Sequence, residues 1–106
     1  MYTSIEEVFA SYEENFDPSK ASGLNGIFVL ILSGEEGGEY TIRIEENTLS
    51  IEEGIYGSPD VRVQTTTRRW LAINNGEANP MMLMMQGKLK VRGSMAKATK
   101  LTALIG

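Results

Sequence analysis

The stretch Gly76-Glu77-Ala78-Asn79-Pro80-Met81-Met82-Leu83-Met84-Met85-Gln86-Gly87-Lys88-Leu89-Lys90-Val91-Arg92-Gly93-Ser94-Met95 decides the fold. Its glycines and proline act as punctuation. Asn79-Pro80 favours a chain reversal that leaves Pro80 at the first helical position, where a missing N–H removes no helical hydrogen bond. Met81 to Gln86 then make one short helical turn, and Gly87 ends it. Lys88-Leu89-Lys90-Val91-Arg92 alternates with period two, which predicts a half-buried strand with Leu89 and Val91 on one face and three cations on the other. Gly93-Ser94 supplies a break and an N-cap, and Met95 opens a helix.

Upstream, Thr66 or Thr67 caps a helix that runs to about Asn74, with Trp70, Leu71 and Ile73 apolar and Gly76 beyond its end. Before it, the Gly57-Ser58-Pro59-Asp60 turn leads into a strand in which Val61 and Val63 oppose Arg62 and Gln64. Gly26 to Ser33 lacks polar alternation, as a central strand covered on both faces would. Two further strands alternate around the Glu46-Asn47 turn, Tyr40, Ile42 and Ile44 in one, Leu49 and Ile51 in the other. Near the start, Ser4 and Glu7 form a capping-box pair, and Ile5, Val8, Phe9, Tyr12 and Phe16 make one apolar helical stripe. The last helix carries Met95, Ala98, Leu101 and Ile105 on one side, with Lys97 and Lys100 on the other. The order α-βββ-β-α-α-β-α predicts an α+β fold, a five-stranded, mainly antiparallel sheet with helices packed on one face.

At 106 residues the chain has room for a single domain, 1–106. It contains neither cysteine nor histidine. Disulfides, thiolate metal sites and Ser-His-Asp or Cys-His nucleophile activation are therefore excluded, so no catalysis, metal or cofactor is expected. The longest apolar run, Ile27 to Leu32, is far shorter than a membrane span, and the acidic start does not read as a signal peptide, so a cytoplasmic location is expected. Residues 1–60 hold 2 basic and 13 acidic side chains (−11), whereas residues 61–106 hold 8 and 1 (+7). The simplest expectation is that elements of the two halves interleave and neutralise each other; the alternative is a basic face for an anionic ligand or lipid surface.

Taken together, Gly26-Ile27-Phe28 with its Gly-rich turn, Ser58-Pro59-Asp60-Val61, Trp70-Leu71-Ala72-Ile73 followed by Asn75-Gly76, and Asn79-Pro80 leading to Met85-Gln86-Gly87-Lys88-Leu89-Lys90-Val91-Arg92-Gly93-Ser94-Met95 resemble the lipid-binding domain of the sterol carrier protein family. The resemblance covers most of the chain from about Ile5. It implies an apolar cavity between sheet and helices that takes a sterol, fatty acid or fatty acyl-CoA. Pattern alone does not distinguish such a cavity from a solid core, because the same residues wall both. The chain departs from the family at Ser94, where an aspartate is common, and at Arg68 and Arg69, where acidic residues would suit the positive end of a helix dipole.

The four methionines of Met81-Met82-Leu83-Met84-Met85 suit a surface that accepts ligands of varied shape, since methionine is flexible and polarisable. On helical spacing Met81, Met84 and Met85 share a face and are expected to line the cavity, with Met82 turned elsewhere. By family position and inward phase, Phe28, Leu30, Tyr40, Ile42, Trp70, Leu89, Leu101 and Ile105 join them, although Ile27, Val29 and Ile31 could instead be the inward set of their strand. Gln86 is the nearest polar group for orienting a headgroup. Arg68 and Arg69 either pair with the acidic half or meet the phosphates of an acyl-CoA or lipid headgroup. Lys88, Lys90 and Arg92, with Lys97 and Lys100, form a solvated face or a transient contact with an anionic membrane. Nucleic acid is not expected, given a net-acidic chain without aromatics among those cations. The reading is a non-catalytic carrier of an elongated apolar lipid, monomer or homodimer. Its rival is a structural or dimerisation module that uses the same apolar groove.

Overall fold

The computed structural model describes residues 1–20 and 24–105, with side chains described as far as residue 101. The elements follow the expected order: α1 (Ile5–Asn15), a single 3-10 turn (Pro18–Lys20), β1 (Gly26–Ser33), β2 (Gly38–Glu45), β3 (Thr48–Glu53), β4 (Val61–Thr66), α2 (Thr67–Asn74), α3 (Pro80–Met85), β5 (Lys90–Gly93) and α4 (Met95–Ile105). The strands form one sheet in the order β3-β2-β1-β4-β5. It is mostly antiparallel, with one parallel pair, β1 and β4, whose register sets Leu30 beside Val63. Glu46 and Asn47 both take positive φ between β2 and β3, the geometry of a tight hairpin turn whose twist matches its strands.

The core sits between one face of the sheet and the helices. Val8 and Ile44 are wholly buried there, with Ile5, Phe9, Tyr12, Phe28, Leu30, Leu32, Ile42 and Val61 around them. Phe28 and Leu30 are thus the inward set of β1. Its outward Val29 is buried for a different reason: the loop after β3 crosses the back of the sheet. The buried Thr41 hydroxyl anchors that loop, donating to the Gly54 carbonyl (2.7 Å) and accepting from the Tyr56 N–H (3.1 Å). This is why β1 shows no alternation.

The deciding stretch folds nearly as read, with one correction. The predicted strand over 88–92 begins only at Lys90. The Lys88 N–H turns back to the Leu83 carbonyl (2.8 Å) and the Gly87 N–H to Met84 (3.1 Å), closing α3 in a Schellman motif that needs the left-handed φ of +72° at Gly87. Residues 88 and 89 belong to that closure and not to the ladder. Gly93 is needed for close approach: a Cβ there would lie 2.1 Å from the Asp60 carbonyl oxygen, at a φ of +108°. Asp60 ties this corner together. Its carboxylate accepts from the Ile27 N–H (2.9 Å) and pairs with Lys97 (3.1 Å), while its backbone bonds Ile27 and Ser94. The Ile27 N–H, followed by the Lys97 ammonium, holds the carboxyl below the usual aspartate range.

Charge is laid out otherwise than expected in the sheet but not among the helices. The sheet order puts β2 and β3 at one edge and β4 and β5 at the other, so the charged strands of the two halves are segregated, whereas the acidic α1 packs against α2 and α4 of the basic half. Asp60–Lys97 is the one ion pair among the described residues.

Candidate functional site

The helices do not lie flat on the sheet at its β4–β5 end. Between them is a cavity of about 280 Å³, near the lower end of the ~300–1,000 Å³ typical of ligand pockets. The sheet supplies Phe28 and Leu30 from β1, Ile42 from β2, Val61 and Val63 from β4 and Val91 from β5, with Leu89 just before it. Period two makes this wall, since residues two apart share a face. The helices supply Tyr12 from α1, Trp70 and Ile73 from α2, Pro80 and Met84 from α3, and Met95, Ala98, Thr99 and Leu101 from α4. Pro80, Met95 and Thr99 line the cavity yet are exposed, so its mouth opens between α3 and α4.

Phe28, Leu30, Ile42, Trp70, Met84, Leu89 and Leu101 are brought together in this wall as expected. The Ile105 side chain lies outside the described residues. Four expectations are corrected. Tyr40 does not reach the cavity: its ring stacks edge-on against Phe9 at 4.8 Å in the solid part of the core. Met81 and Met85 are 66% and 83% exposed, and Gln86 is exposed as the C-cap of α3, its N–H bonded to the Met82 carbonyl. The expected face of α3 is rotated: Pro80 and Met84, one helical turn apart, point in, and Met81, Met82 and Met85 point out. Asn79, whose side chain accepts from the Met81 N–H (2.9 Å), and the closure through Gly87 fix that rotation at both ends.

Reading the sequence missed Tyr12, Val61, Val63, Ile73, Pro80, Val91, Met95, Ala98 and Thr99 as wall residues. The valines carried the signal in their alternation, and Met95 and Ala98 in their helical stripe.

No charged side chain lines the cavity, and its polar groups are few. The Tyr12 hydroxyl donates to Asn74 Oδ1 (2.5 Å), and the Asn74 amide donates to the Trp70 carbonyl (2.7 Å), locking α1 to α2. Burial pushes the Tyr12 phenol well above the usual tyrosine range, outweighing the smaller opposing effects of Asn74 and Trp70. Trp70 Nε1 lies buried beside that phenol, near enough to favour its charged form slightly, yet outside hydrogen-bond geometry. The Thr99 hydroxyl is occupied by the Met95 carbonyl (2.9 Å). Such a lining suits an uncharged, apolar body and rejects a buried anion, whose desolvation nothing here would offset.

Arg68 is exposed and Arg69 half-buried; neither lines the cavity, and among the described residues neither pairs with a carboxylate. Pairing with the acidic half therefore does not explain them. Among the described residues no group of histidine, cysteine, aspartate or glutamate side chains is arranged to hold a metal, and no helix is long and apolar enough to cross a membrane.

A family model described as the SCP-2 sterol transfer family matches residues 5–106. A human protein named hydroxysteroid dehydrogenase-like protein 2 is 30% identical over 106 residues, covering 96% of this chain and 25% of its own length. The chain thus spans about a quarter of the curated relatives it matches first. Among solved structures, a double mutant of the sec-alkyl sulfatase PisA1 superposes with a TM-score of 0.85 at 17% identity, over 96% of this chain and 16% of that one. Palmitated SCP2L2 from Aedes aegypti gives 0.71 at 24% identity, over 97% and 95%.

Proposed function

The chain belongs to the SCP-2 sterol transfer family, and from that premise we propose that it is a non-catalytic carrier of a fatty acyl chain or a similarly elongated lipid. Its cargo lies in the cavity between sheet and helices. The observation that supports this most is the uncharged wall with a mouth between α3 and α4. An acyl chain would bury its methylenes against Phe28, Leu30, Ile42, Leu89 and Leu101, contributing about 0.8 kcal/mol for each buried CH₂, and leave its charged end at the mouth. Support for an acyl cargo also comes from the Aedes protein, described as palmitated. A cytoplasmic location is part of the proposal and rests on the cysteine-free composition.

Acyl-CoA differs from a free fatty acid in its phosphates, which would lie outside the mouth. Arg69, one helical turn before the wall residue Ile73, is the better placed of the two arginines to meet them.

A second reading, an accessory or dimerisation module within a larger protein, draws on the quarter-length match to the human relative. Titrating delipidated protein with a fluorescent fatty acid separates the two. The carrier reading expects saturation at about one ligand per chain, with displacement by unlabelled fatty acid and acyl-CoA. A concentration-dependent dimer that takes up no fatty acid would favour the module.

A further inference from the structure

Of the 6 methionines, all but Met1 stand on two elements: Met81, Met82, Met84 and Met85 on α3, and Met95 at the start of α4. These are the elements between which the cavity opens. With no cysteine in the chain, the thioethers are the side chains that a hydroperoxide oxidises most readily. They divide by direction. Met81, Met82 and Met85 point into water, 66%, 56% and 83% exposed. Met84 and Met95 line the cavity, and Met95 is also 52% exposed, so a solute can reach a side chain on which the cavity wall depends.

Oxidation changes what these two side chains contribute. The sulfur lone pair attacks one oxygen of the peroxide, an S–O bond forms as the O–O bond breaks, and the leaving oxygen collects the proton, departing as water when the oxidant is hydrogen peroxide. Sulfur is oxidised by two electrons and the peroxide is reduced by the same two. The sulfoxide is strongly polar and accepts hydrogen bonds. The cavity offers it little in return: no charged side chain lines the wall, and the Tyr12 and Thr99 hydroxyls already donate to Asn74 and to the Met95 carbonyl. A sulfoxide left against an apolar cargo is an unpaired dipole in apolar surroundings, and one turned out to water removes its own piece of the wall.

We infer that Met95, together with Met84, is a peroxide-sensitive modification site whose oxidation to the sulfoxide empties the cavity, whereas Met81, Met82 and Met85 are oxidised without that consequence. The inference rests on the carrier reading. A cargo chain lying against Met84 and Met95 covers their sulfurs, so occupancy should slow oxidation of these two and leave that of the three outward methionines unchanged.

Treating the full chain with hydrogen peroxide tests it. The peroxide is then removed, peptide mass spectrometry locates each sulfoxide, and the protein is titrated with a saturated fatty acid, which peroxide does not alter. In the wild type, sulfoxide at Met95 should lower the affinity about tenfold, and methionine sulfoxide reductases should restore it. Met81→Leu with Met82→Leu and Met85→Leu should take up the fatty acid as the wild type does and remain equally sensitive to peroxide. Met84→Leu with Met95→Leu, whatever its starting affinity, should change by less than about twofold on treatment. Met95→Gln, a polar side chain of similar length, should be weakened without any peroxide. No uptake by the untreated wild type would overturn the carrier reading itself. Uptake undiminished with Met95 fully oxidised, or an equal loss in the Met84→Leu with Met95→Leu variant, would overturn this inference and leave the carrier reading standing.

Discussion

One sheet is finished in two ways. Toward β2 and β3 the core under α1 is closed: Val8 and Ile44 are wholly buried, and Phe9 stacks on Tyr40. Over β4 and β5, α2, α3 and α4 leave a cavity whose helical walls, among them Trp70, Met84, Ala98 and Leu101, are only half-buried. Of the strands, β2 and β3 at the solid end are acidic and β4 and β5 at the hollow end are basic. Stability is therefore concentrated at one end and the capacity to hold and exchange a guest at the other, where fewer contacts must be broken for helices to move.

The largest effect is expected where the hollow end is rigid. Gly93→Ala would drive a Cβ into the Asp60 carbonyl at a φ that side chains rarely adopt, and should cost more than about 3 kcal/mol in chemical denaturation. A cost near that of an ordinary surface change would show that β5 and α4 shift freely, and the contrast between a fixed corner and mobile walls would fail.

The comparison itself is measured next. Ile44→Ala should cost about 3–4 kcal/mol, as deletion from a close-packed core does. Met84→Ala removes atoms that already face open space on one side, and should cost about 1 kcal/mol or less while weakening fatty acid uptake several-fold. Equal costs would mean that both ends are packed alike.

Asp60→Asn keeps an acceptor for the Ile27 N–H but loses the charge that meets Lys97, and should cost about 0.5–1 kcal/mol near neutral pH. Because the folded carboxyl titrates below its ordinary value of 3.8, its contribution is present above about pH 4 and is lost as pH falls through the folded value. The stability curves of variant and wild type should therefore converge in acid, and parallel curves would exclude the mechanism. The smallest effect concerns Arg68→Glu with Arg69→Glu. It should leave fatty acid affinity within about twofold and weaken acyl-CoA further, by about 1 kcal/mol for each arginine–phosphate pair removed. Equal effects on both ligands would remove the arginines from the site.

Much of this organisation was legible in the sequence, for a reason that the deciding stretch illustrates. Asn79-Pro80, Gly87 and Gly93-Ser94 are local devices, and each acts in the fold as its chemistry requires. The rotation of α3 was not legible. A helix written Pro-Met-Met-Leu-Met-Met is apolar all round and has no phase to read, so the caps at Asn79 and Gly87 choose the inward face. The pairing of β1 with β4 joins segments about thirty residues apart, beyond any local signal, and the charge segregation of the strands follows from that pairing. Tyr40 was misplaced because its alternation gives a face of the sheet but not which end of that face is hollow.

The central claim, that a guest occupies the space between sheet and helices, is tested most directly by native mass spectrometry of protein purified without detergent, wild type beside Ala98→Phe. Ala98 sits in the helical wall, and a phenyl ring there would fill much of the cavity. The account predicts that the wild type carries one lipid per chain, or takes one up when offered, and that Ala98→Phe folds but carries none. A wild type that takes up no amphiphile, or an Ala98→Phe variant loaded as fully as the wild type, would contradict it.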